Sequence, residues 1–210
     1  MRLSIAREVV PFAAPLALVA AAFFVLGWFV PGIVAAVATV CVVLFFRDPR
    51  REAPDDSSLV LAPADGLVVG VRQVEEPDYL GGAATRVSIF LRLWDVHMTY
   101  APVAGTVEQV NHRPGRFGNA GFAKASERNE ANSIVVQNGE GRLMFRQIAG
   151  MIARRIVCRI KPGDEIHRGE RVGLIKFGSR TDVFLPPGYE VLVRKGERVR
   201  AVTSPIARAR

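Results

Sequence analysis

A serine that directly follows a glycine, Ser179 after Gly178, carries the most specific chemistry in this 210-residue chain. Its hydroxyl can attack the carbonyl carbon of the preceding glycine, because no side chain blocks the approach and glycine tolerates the strained backbone that the attack requires. The attack would turn the peptide bond into an ester. Most Gly-Ser pairs are ordinary turns, so the pair indicates self-cleavage only if the rest of the chain supplies a base.

One of the three histidines has the surroundings expected of that base. His97 follows Asp95 in a segment that is predicted to be extended, and alternation along such a segment places both side chains on one face. His112 and His167 lie in polar turns. A histidine that only stabilises a buried strand would show the same local pattern as His97, so both interpretations stay open at this point.

Short β-strands are the elements that must position these residues. Runs rich in β-branched residues alternate with Gly, Pro, Asn and Asp. We count nine to eleven such strands and no long amphipathic helix after residue 47. The pattern predicts a mainly β fold, a compact barrel or sandwich.

Three stretches of the strand-rich region have recognisable turns. Residues 63–68 and 102–107 repeat one pattern, in which a proline-initiated turn leads through a glycine into a strand. Residues 160–172 look like the hairpin of biotinyl and lipoyl carrier domains. Lys176 lacks the sequence context of a carrier lysine, so the fold is predicted to be lipoyl-like without the carrier function.

Residues 9–46 form an apolar segment, with Thr39 as its one polar residue, that Pro31-Gly32 interrupts. About twenty apolar residues precede the break and about fourteen follow it, and a helix needs roughly twenty to cross a bilayer. Arginines flank both ends, which favours a helical hairpin that anchors the chain in the cell membrane, with its turn at Pro31-Gly32 and the following domain on the cytoplasmic side. A single tilted span in an export orientation is the alternative.

The predicted organisation is therefore an anchor (1–46), a polar, proline-containing linker (47–58) and a β-rich domain (59–210). The net charge of +8 suits attraction to anionic lipid headgroups, although an ordinary solvated basic surface would show it too. The sequence has no basic stripe with interleaved aromatic residues, the pattern that would indicate nucleic acid as a partner. Cys41 and Cys158 do not suggest a disulfide framework, and no motif predicts a metal site.

Taken in order, several stretches resemble the phosphatidylserine decarboxylase proenzyme family in its short form, over about residues 47–200. These stretches are Pro63-Ala64-Asp65-Gly66, Asp95-Val96-His97-Met98 through Pro102-Val103-Ala104-Gly105, Ser126-Glu127-Arg128-Asn129-Glu130, and Phe177-Gly178-Ser179-Arg180. An N-terminal membrane anchor fits the same family.

The resemblance implies a chain that cleaves itself between Gly178 and Ser179. Ser179 would become a covalent pyruvoyl group, the only cofactor, and the products would be a β subunit (1–178) and an α subunit (179–210) that stay together. His97 would be the general base and Asp65 would orient it, with Asp95 as a rival for the orienting role.

The implied reaction is the decarboxylation of phosphatidylserine in a membrane to phosphatidylethanolamine. The pyruvoyl carbonyl would condense with the substrate amine and take up the electrons that carbon dioxide leaves behind. His97 would return the proton, and Lys124, Arg128 and Asn129 could meet the phosphate or carboxylate of the substrate.

One departure concerns Tyr100, which stands where long-form members carry a second histidine three residues after the first. If that histidine performs the acid-base work in those relatives, the role of His97 is less secure. Archaetidylserine has the same headgroup chemistry, so the sequence does not separate the two lipids.

Two functions of other kinds remain open. A membrane-anchored lipoyl-like adaptor or carrier would keep an intact chain without a carbonyl group. A serine hydrolase that uses Ser179 on external substrates would also stay intact, and it would react with serine-directed probes.

Overall fold

The computed structural model describes residues 3–115, 129–150, 155–176 and 179–210. The chain divides into two compact units, Met1–Arg50 and Arg51–Arg210. The helices are a short 3-10 helix (Arg7–Val9), α1 (Val10–Val25) and α2 (Phe29–Phe45). The strands are β1 (Leu3–Ile5), β2 (Arg47–Pro49), β3 (Leu59–Leu61), β4 (Gly66–Glu76), β5 (Gly82–Leu91), β6 (Met98–Tyr100), β7 (Gly105–Arg113), β8 (Ala131–Asn138), β9 (Gly141–Ala149), β10 (Ile156–Cys158), β11 (Glu165–Ile166), β12 (Arg171–Ile175), β13 (Ser179–Leu185), β14 (Tyr189–Val191), β15 (Arg198–Val199) and β16 (Pro205–Ala209).

The N-terminal unit is a pair of apolar helices closed at its base by β1 and β2, which pair antiparallel. Phe12 near the start of α1 stacks on Phe46 just after α2, with ring centroids 5.7 Å apart, so the two helices run in opposite directions. Most large apolar side chains of both helices are exposed. The helical stretch Arg7–Val25 is long and apolar enough to cross a membrane, which suggests membrane association.

The turn between these helices lies at Gly27, and the predicted position at Pro31-Gly32 is wrong. Gly27 has a φ of +74°, and the N–H of Trp28 donates to the carbonyl of Phe23 at 2.8 Å, the pattern that ends many helices at a glycine. Pro31 instead lies in the first turn of α2. A proline is tolerated there because the first N–H groups of a helix have no partner within it.

The second unit is built around one antiparallel eight-stranded sheet that curls into half a barrel, with the order β11-β7-β8-β9-β13-β5-β4-β15. Two three-stranded sheets, β10-β12-β6 and β14-β16-β3, complete it. The mainly β prediction with an N-terminal helical pair is confirmed. The structure has fourteen strands within the described residues of this unit, more than predicted, because β11 and β15 are too short to show any periodicity.

The sheet consists of two halves with the same construction. β4 and β7 begin at the repeated glycines, and each pairs at that end with a two-residue strand, β15 or β11. In each half a tight turn donates an N–H to the long strand at 2.8 Å, from Gly196 to the carbonyl of Val68 and from Gly163 to that of Val107. The turn at Gly163 lies in residues 160–172, the stretch whose sequence resembles a lipoyl hairpin, and the turn at Gly196 was not predicted.

The chain starts in one half of the sheet, forms the whole of the other half, and then returns to the first. One half combines β3 to β5 with β13 to β16, and the other is the continuous stretch from β6 to β12. The chain therefore returns to the first half just before Ser179, where β13 inserts between β5 and β9. All seven residues of β13 are buried, and Val183 and Leu185 point from it into the main apolar core.

Candidate active site

Ser179 is the first residue of β13 and is completely buried. It pairs with Leu91 of β5 on one side and with Ala149 of β9 on the other. Among the described residues, its hydroxyl oxygen has no hydrogen-bond partner. A buried hydroxyl without a partner carries a desolvation cost, so it calls for an explanation, and a reactive role is one. Gly178 lies outside the described residues.

His97 is buried as well, with 2% of its surface exposed. Its Nδ1 lies 2.9 Å from the backbone carbonyl oxygen of Asp95. Because a carbonyl can only accept, Nδ1 must donate, and in the neutral imidazole Nε2 then carries the lone pair. The backbone of His97 accepts an N–H from Ile175 at 3.1 Å, which places it beside the segment that leads into Ser179. His97 thus has the tautomer that a general base acting through Nε2 requires.

Asp95 orients this histidine through its backbone, while its carboxylate shapes the preceding turn. One carboxylate oxygen accepts the N–H of Arg92 at 2.8 Å, and the other accepts from the guanidinium of Arg198 at 2.8 Å. These two contacts fix the turn over residues 92–95 and thereby the position of the carbonyl that His97 uses.

The Asp65 carboxylate serves other partners. It forms a two-pronged ion pair with Arg51, one contact of which joins Oδ2 to Nη2 at 2.7 Å, and it accepts the N–H of Ala201 at 2.8 Å. Within the described part of the chain, neither Asp65 nor the Asp95 carboxylate contacts His97. The structure therefore does not bring Asp65 and His97 into hydrogen-bond contact, and the orienting role of Asp65 stays a prediction.

Tyr100 belongs to the same charged group as Arg51 and Asp65. Its side chain is buried, and burial raises the pKa of its phenol to about 12, with the nearby Arg51 charge opposing this rise and the Asp65 charge adding to it. The phenol is therefore a neutral hydrogen-bonding group at physiological pH. The residue that departs from the long-form pattern thus lies beside Asp65, an arrangement that the sequence alone did not show.

A polar cluster on the Ser179 face of the sheet escaped the sequence analysis. Thr181 shares this face, because side chains alternate along β13, and its hydroxyl is buried without a partner among the described residues. Beside it, Gln147 donates to the hydroxyl of Thr99 at 3.1 Å and accepts from Asn132 at 3.1 Å. The site is therefore a buried, polar-lined region. Only the cross-strand register reveals it.

Of the three predicted substrate contacts, only Asn129 is described. It is buried, and its Nδ2 donates to the carbonyl of Ala149 at 2.7 Å, the residue that pairs with Ser179. Asn129 thus lies within one strand of the serine. Lys124 and Arg128 lie outside the described residues.

The opposite face of β13 carries a buried ion pair. Arg180 donates through Nε to Asp182 Oδ1 at 2.6 Å and through Nη2 to Oδ2 at 2.9 Å, and Nη2 also donates to the hydroxyl of Ser88 at 2.8 Å. Both charged side chains are almost completely buried. The residue directly after Ser179 is thus held in place by two strands.

Comparison with known proteins shows the family of this chain. The model of a family described as phosphatidylserine decarboxylase matches residues 38–207. A phosphatidylserine decarboxylase proenzyme from Magnetococcus marinus is 43% identical over 210 residues, which cover 97% of this chain and 94% of that protein. A protein of the same name from Syntrophus aciditrophicus is 41% identical and covers 96% of each chain, and one from Carboxydothermus hydrogenoformans is 46% identical and covers 84% of each. The chain belongs to the phosphatidylserine decarboxylase family.

Proposed function

We propose that this chain is a proenzyme that cleaves itself between Gly178 and Ser179 and then decarboxylates phosphatidylserine to phosphatidylethanolamine. The single observation that carries the proposal is the completely buried Ser179 hydroxyl, which has no partner among the described residues. Family membership and the orientation of His97 support it.

In the cleavage step, the Ser179 hydroxyl oxygen attacks the carbonyl carbon of Gly178 while Nε2 of His97 accepts the hydroxyl proton. The C–N bond then breaks, and the nitrogen of Ser179 takes up a proton, so that an ester replaces the peptide bond. A base next removes the α-proton of residue 179, the ester C–O bond breaks, and Gly178 leaves as a carboxylate. Water converts the remaining dehydroalanine to a pyruvoyl group and ammonia.

The surroundings of Ser179 suit a group that must stay fixed after the chain is cut. Residue 179 becomes the N-terminus of the small subunit (179–210), yet it remains paired with β5 and β9. The Arg180–Asp182 pair holds the next residues on the other face. The large subunit (1–178) therefore keeps the new terminus in register without a covalent bond.

The pyruvoyl group supplies a carbonyl that, once joined to the substrate amine, accepts the electrons released with carbon dioxide. The residues around it have three tasks. His97 returns a proton to the substrate carbon, and the Thr99, Gln147 and Asn132 side chains bind one another in a fixed arrangement beside the site. Asn129, Lys124 and Arg128 bind the substrate phosphate or carboxylate.

The backbone carbonyl of Asp95 selects the tautomer of His97 in which Nε2 can accept a proton. The same nitrogen can then accept a proton in cleavage and return one in decarboxylation. Asp65 supports the site through Arg51 and the Ala201 turn, and its effect on His97 is indirect.

The location we propose is the cell membrane, with the second unit on the cytoplasmic side. The apolar stretch Arg7–Val25 supports an anchor, and arginines at both ends of the helical pair support a hairpin that enters and returns. Phosphatidylserine is itself a membrane lipid, so an anchor holds the site near its substrate.

Replacement of Ser179 tests this function. Ser179→Ala removes the attacking oxygen, so we expect a chain of full length that does not release carbon dioxide from phosphatidylserine. The matched control is Ser133→Ala, which removes another buried serine of the same sheet, one whose hydroxyl accepts from Arg146, and it should cleave normally. A Ser179→Ala chain that still splits, or that keeps its activity, would disprove the proposal.

A further inference from the structure

Two large apolar side chains are exposed beside the candidate active site. Leu93 is 53% exposed and Trp94 is 64% exposed, and both lie in the turn over residues 92–95, called here the entrance loop. Among the described residues of the second unit, Leu192 is the only other large apolar side chain that is exposed, at 42%. Neighbouring exposed apolar side chains with charged residues around them are typical of surfaces that bind a protein or a membrane.

The entrance loop connects the two parts of the site. It begins after Leu91, which pairs with Ser179, and it ends two residues before His97. Its shape is fixed, since Asp95 accepts the N–H of Arg92 and donates its own N–H to the Arg92 carbonyl at 2.9 Å. Whatever covers Leu93 and Trp94 therefore lies within a few residues of the reacting groups.

A basic turn adjoins this loop. Arg198 binds the Asp95 carboxylate at 2.8 Å and closes the turn over residues 194–198, called here the basic turn, which holds three basic side chains against one acidic one, all exposed. The equivalent turn of the other half, residues 161–165, has one basic side chain against two acidic ones. Of two turns with the same backbone, only the one beside the exposed apolar pair is positively charged.

We propose that the entrance loop and the basic turn form a docking surface for an anionic phospholipid bilayer. Trp94 and Leu93 enter the headgroup region, where an indole ring is favourably placed, and the side chains of Arg194 and Lys195 bind lipid phosphates. This rests on the proposed function in one respect, namely that the substrate lies in such a bilayer. A protein partner fits less well, because a stable protein interface needs about 20–30 residues on each side.

The charge and the apolar pair have different roles at this surface. Each cation near an anionic membrane improves binding about fivefold, and this attraction falls off within a Debye length, so it acts on the basic turn only when the turn lies at the surface. The Trp94 indole limits how deeply the entrance loop enters the bilayer. Arg92 lies over its ring, 5.8 Å from the centroid, and the charge of this arginine stays at the level of the headgroups. Together they would turn the entrance to Ser179 towards the lipid.

The test uses the two tryptophans of the full-length chain. Trp28→Phe leaves Trp94 as the only fluorophore, and Ser179→Ala prevents processing and turnover, so the readout does not depend on the proposed function. The protein is reconstituted in vesicles of phosphatidylcholine and phosphatidylserine in a ratio of roughly four to one, with the phosphatidylcholine brominated or not. We expect bromines near the headgroups to quench Trp94, and bromines deep in the chains to quench it less.

Charge reversal completes the test. Arg194→Glu should reduce the quenching of Trp94 several-fold, and Lys195→Glu serves as a second variant should the first fail to fold. The matched control is Lys161→Glu, at the position equivalent to Arg194 in the other half, and it should leave the quenching unchanged. The proposal is overturned if brominated and plain vesicles give the same Trp94 fluorescence, or if Arg194→Glu and Lys161→Glu have equal effects.

Discussion

The ion pair between Arg180 and Asp182 is more deeply buried than any other pair that the structure describes. Removal of one of its two charges should therefore lower the free energy of unfolding more than removal of a charge from any of the other described pairs. The two side chains are 2% and 0% exposed. Asp182 also faces Arg86, whose pKa is lowered mainly by burial, with the Asp182 charge opposing that effect and the Arg180 charge adding to it. Asp182→Asn keeps the size of the side chain and removes the carboxylate charge that pairs with Arg180.

The expected magnitude follows from this geometry. Two unit charges about 4 Å apart attract by about 4 kcal/mol at an effective dielectric constant of about 20. Loss of one partner of a buried pair costs about 3–5 kcal/mol, because the other charge stays buried without compensation. We therefore expect Asp182→Asn to lower the free energy of unfolding by about 3–4 kcal/mol, a large share of the roughly 5–15 kcal/mol of a typical domain.

Urea unfolding of the uncleaved Ser179→Ala chain in detergent, followed by circular dichroism, measures this cost. Glu108→Gln is the matched control, since it breaks an ion pair with Arg142 whose side chains are 54% and 27% exposed, and exposed pairs contribute about 0–1 kcal/mol. The double variant Arg180→Met/Asp182→Asn should recover part of the loss, because it removes the stranded cation as well. If Asp182→Asn costs no more than Glu108→Gln, burial does not decide the strength of this pair.

Three further changes test other parts of the site. His97→Ala should slow self-cleavage by about 10²–10⁴-fold, as expected for loss of a general base. A normal time course of cleavage on gels would mean that another group accepts the proton of the Ser179 hydroxyl. Asp95→Asn should cleave at close to the wild-type rate, because His97 binds the backbone of residue 95, and a loss as large as that of His97→Ala would contradict this geometry. The third change concerns Tyr100, whose phenol titrates near pH 10 when unfolded and at about 12 when folded. Its contribution to stability is complete below pH 10, and about 3 kcal/mol is lost as the pH rises to 12. In urea unfolding measured between pH 10 and 12, Tyr100→Phe should lose less stability than the unchanged chain as the pH rises. An equally steep loss of stability in both chains would show that Tyr100 is not its cause.

Much of the fold follows from local sequence. β-Branched runs between turn residues predicted the long strands, and the repeated proline-to-glycine pattern marked the starts of β4 and β7. Both glycines are required there, since a Cβ would lie 2.3 Å from the carbonyl oxygen of Phe90 at Gly66 and 2.2 Å from that of Gln137 at Gly105. The pattern was visible because close backbone approach excludes every other residue type.

The wrong position of the helical turn has an equally physical cause. Proline interrupts a helix interior but costs little at a helix start, and Gly27 supplies the positive φ that the turn needs. The orienting role of Asp65 stays a prediction, and the partners that the structure gives its carboxylate are Arg51, 14 residues away in sequence, and Ala201, 136 residues away. Such contacts depend on the register of distant strands, which no local pattern encodes.

The same limit applies to the polar cluster at the site. Thr181, Gln147 and Thr99 are ordinary strand residues in the sequence, and they meet only because β9 lies between β8 and β13 while β6 packs beside them. Ser179 and His97, by contrast, are candidates that residue type and sequence neighbours indicate, and their catalytic roles stay predictions. A candidate with a local sequence signature can be found without a structure, whereas the side chains packed around it cannot.

Intact mass of the purified protein under denaturing conditions, with and without an amine reagent that traps carbonyl groups, tests the central claim most directly. We expect two fragments, residues 1–178 and 179–210, of which the smaller is lighter than its sequence requires and gains the mass of the reagent. A single chain of unmodified mass in an active preparation, or a small fragment that keeps an ordinary serine at its N-terminus, would contradict it.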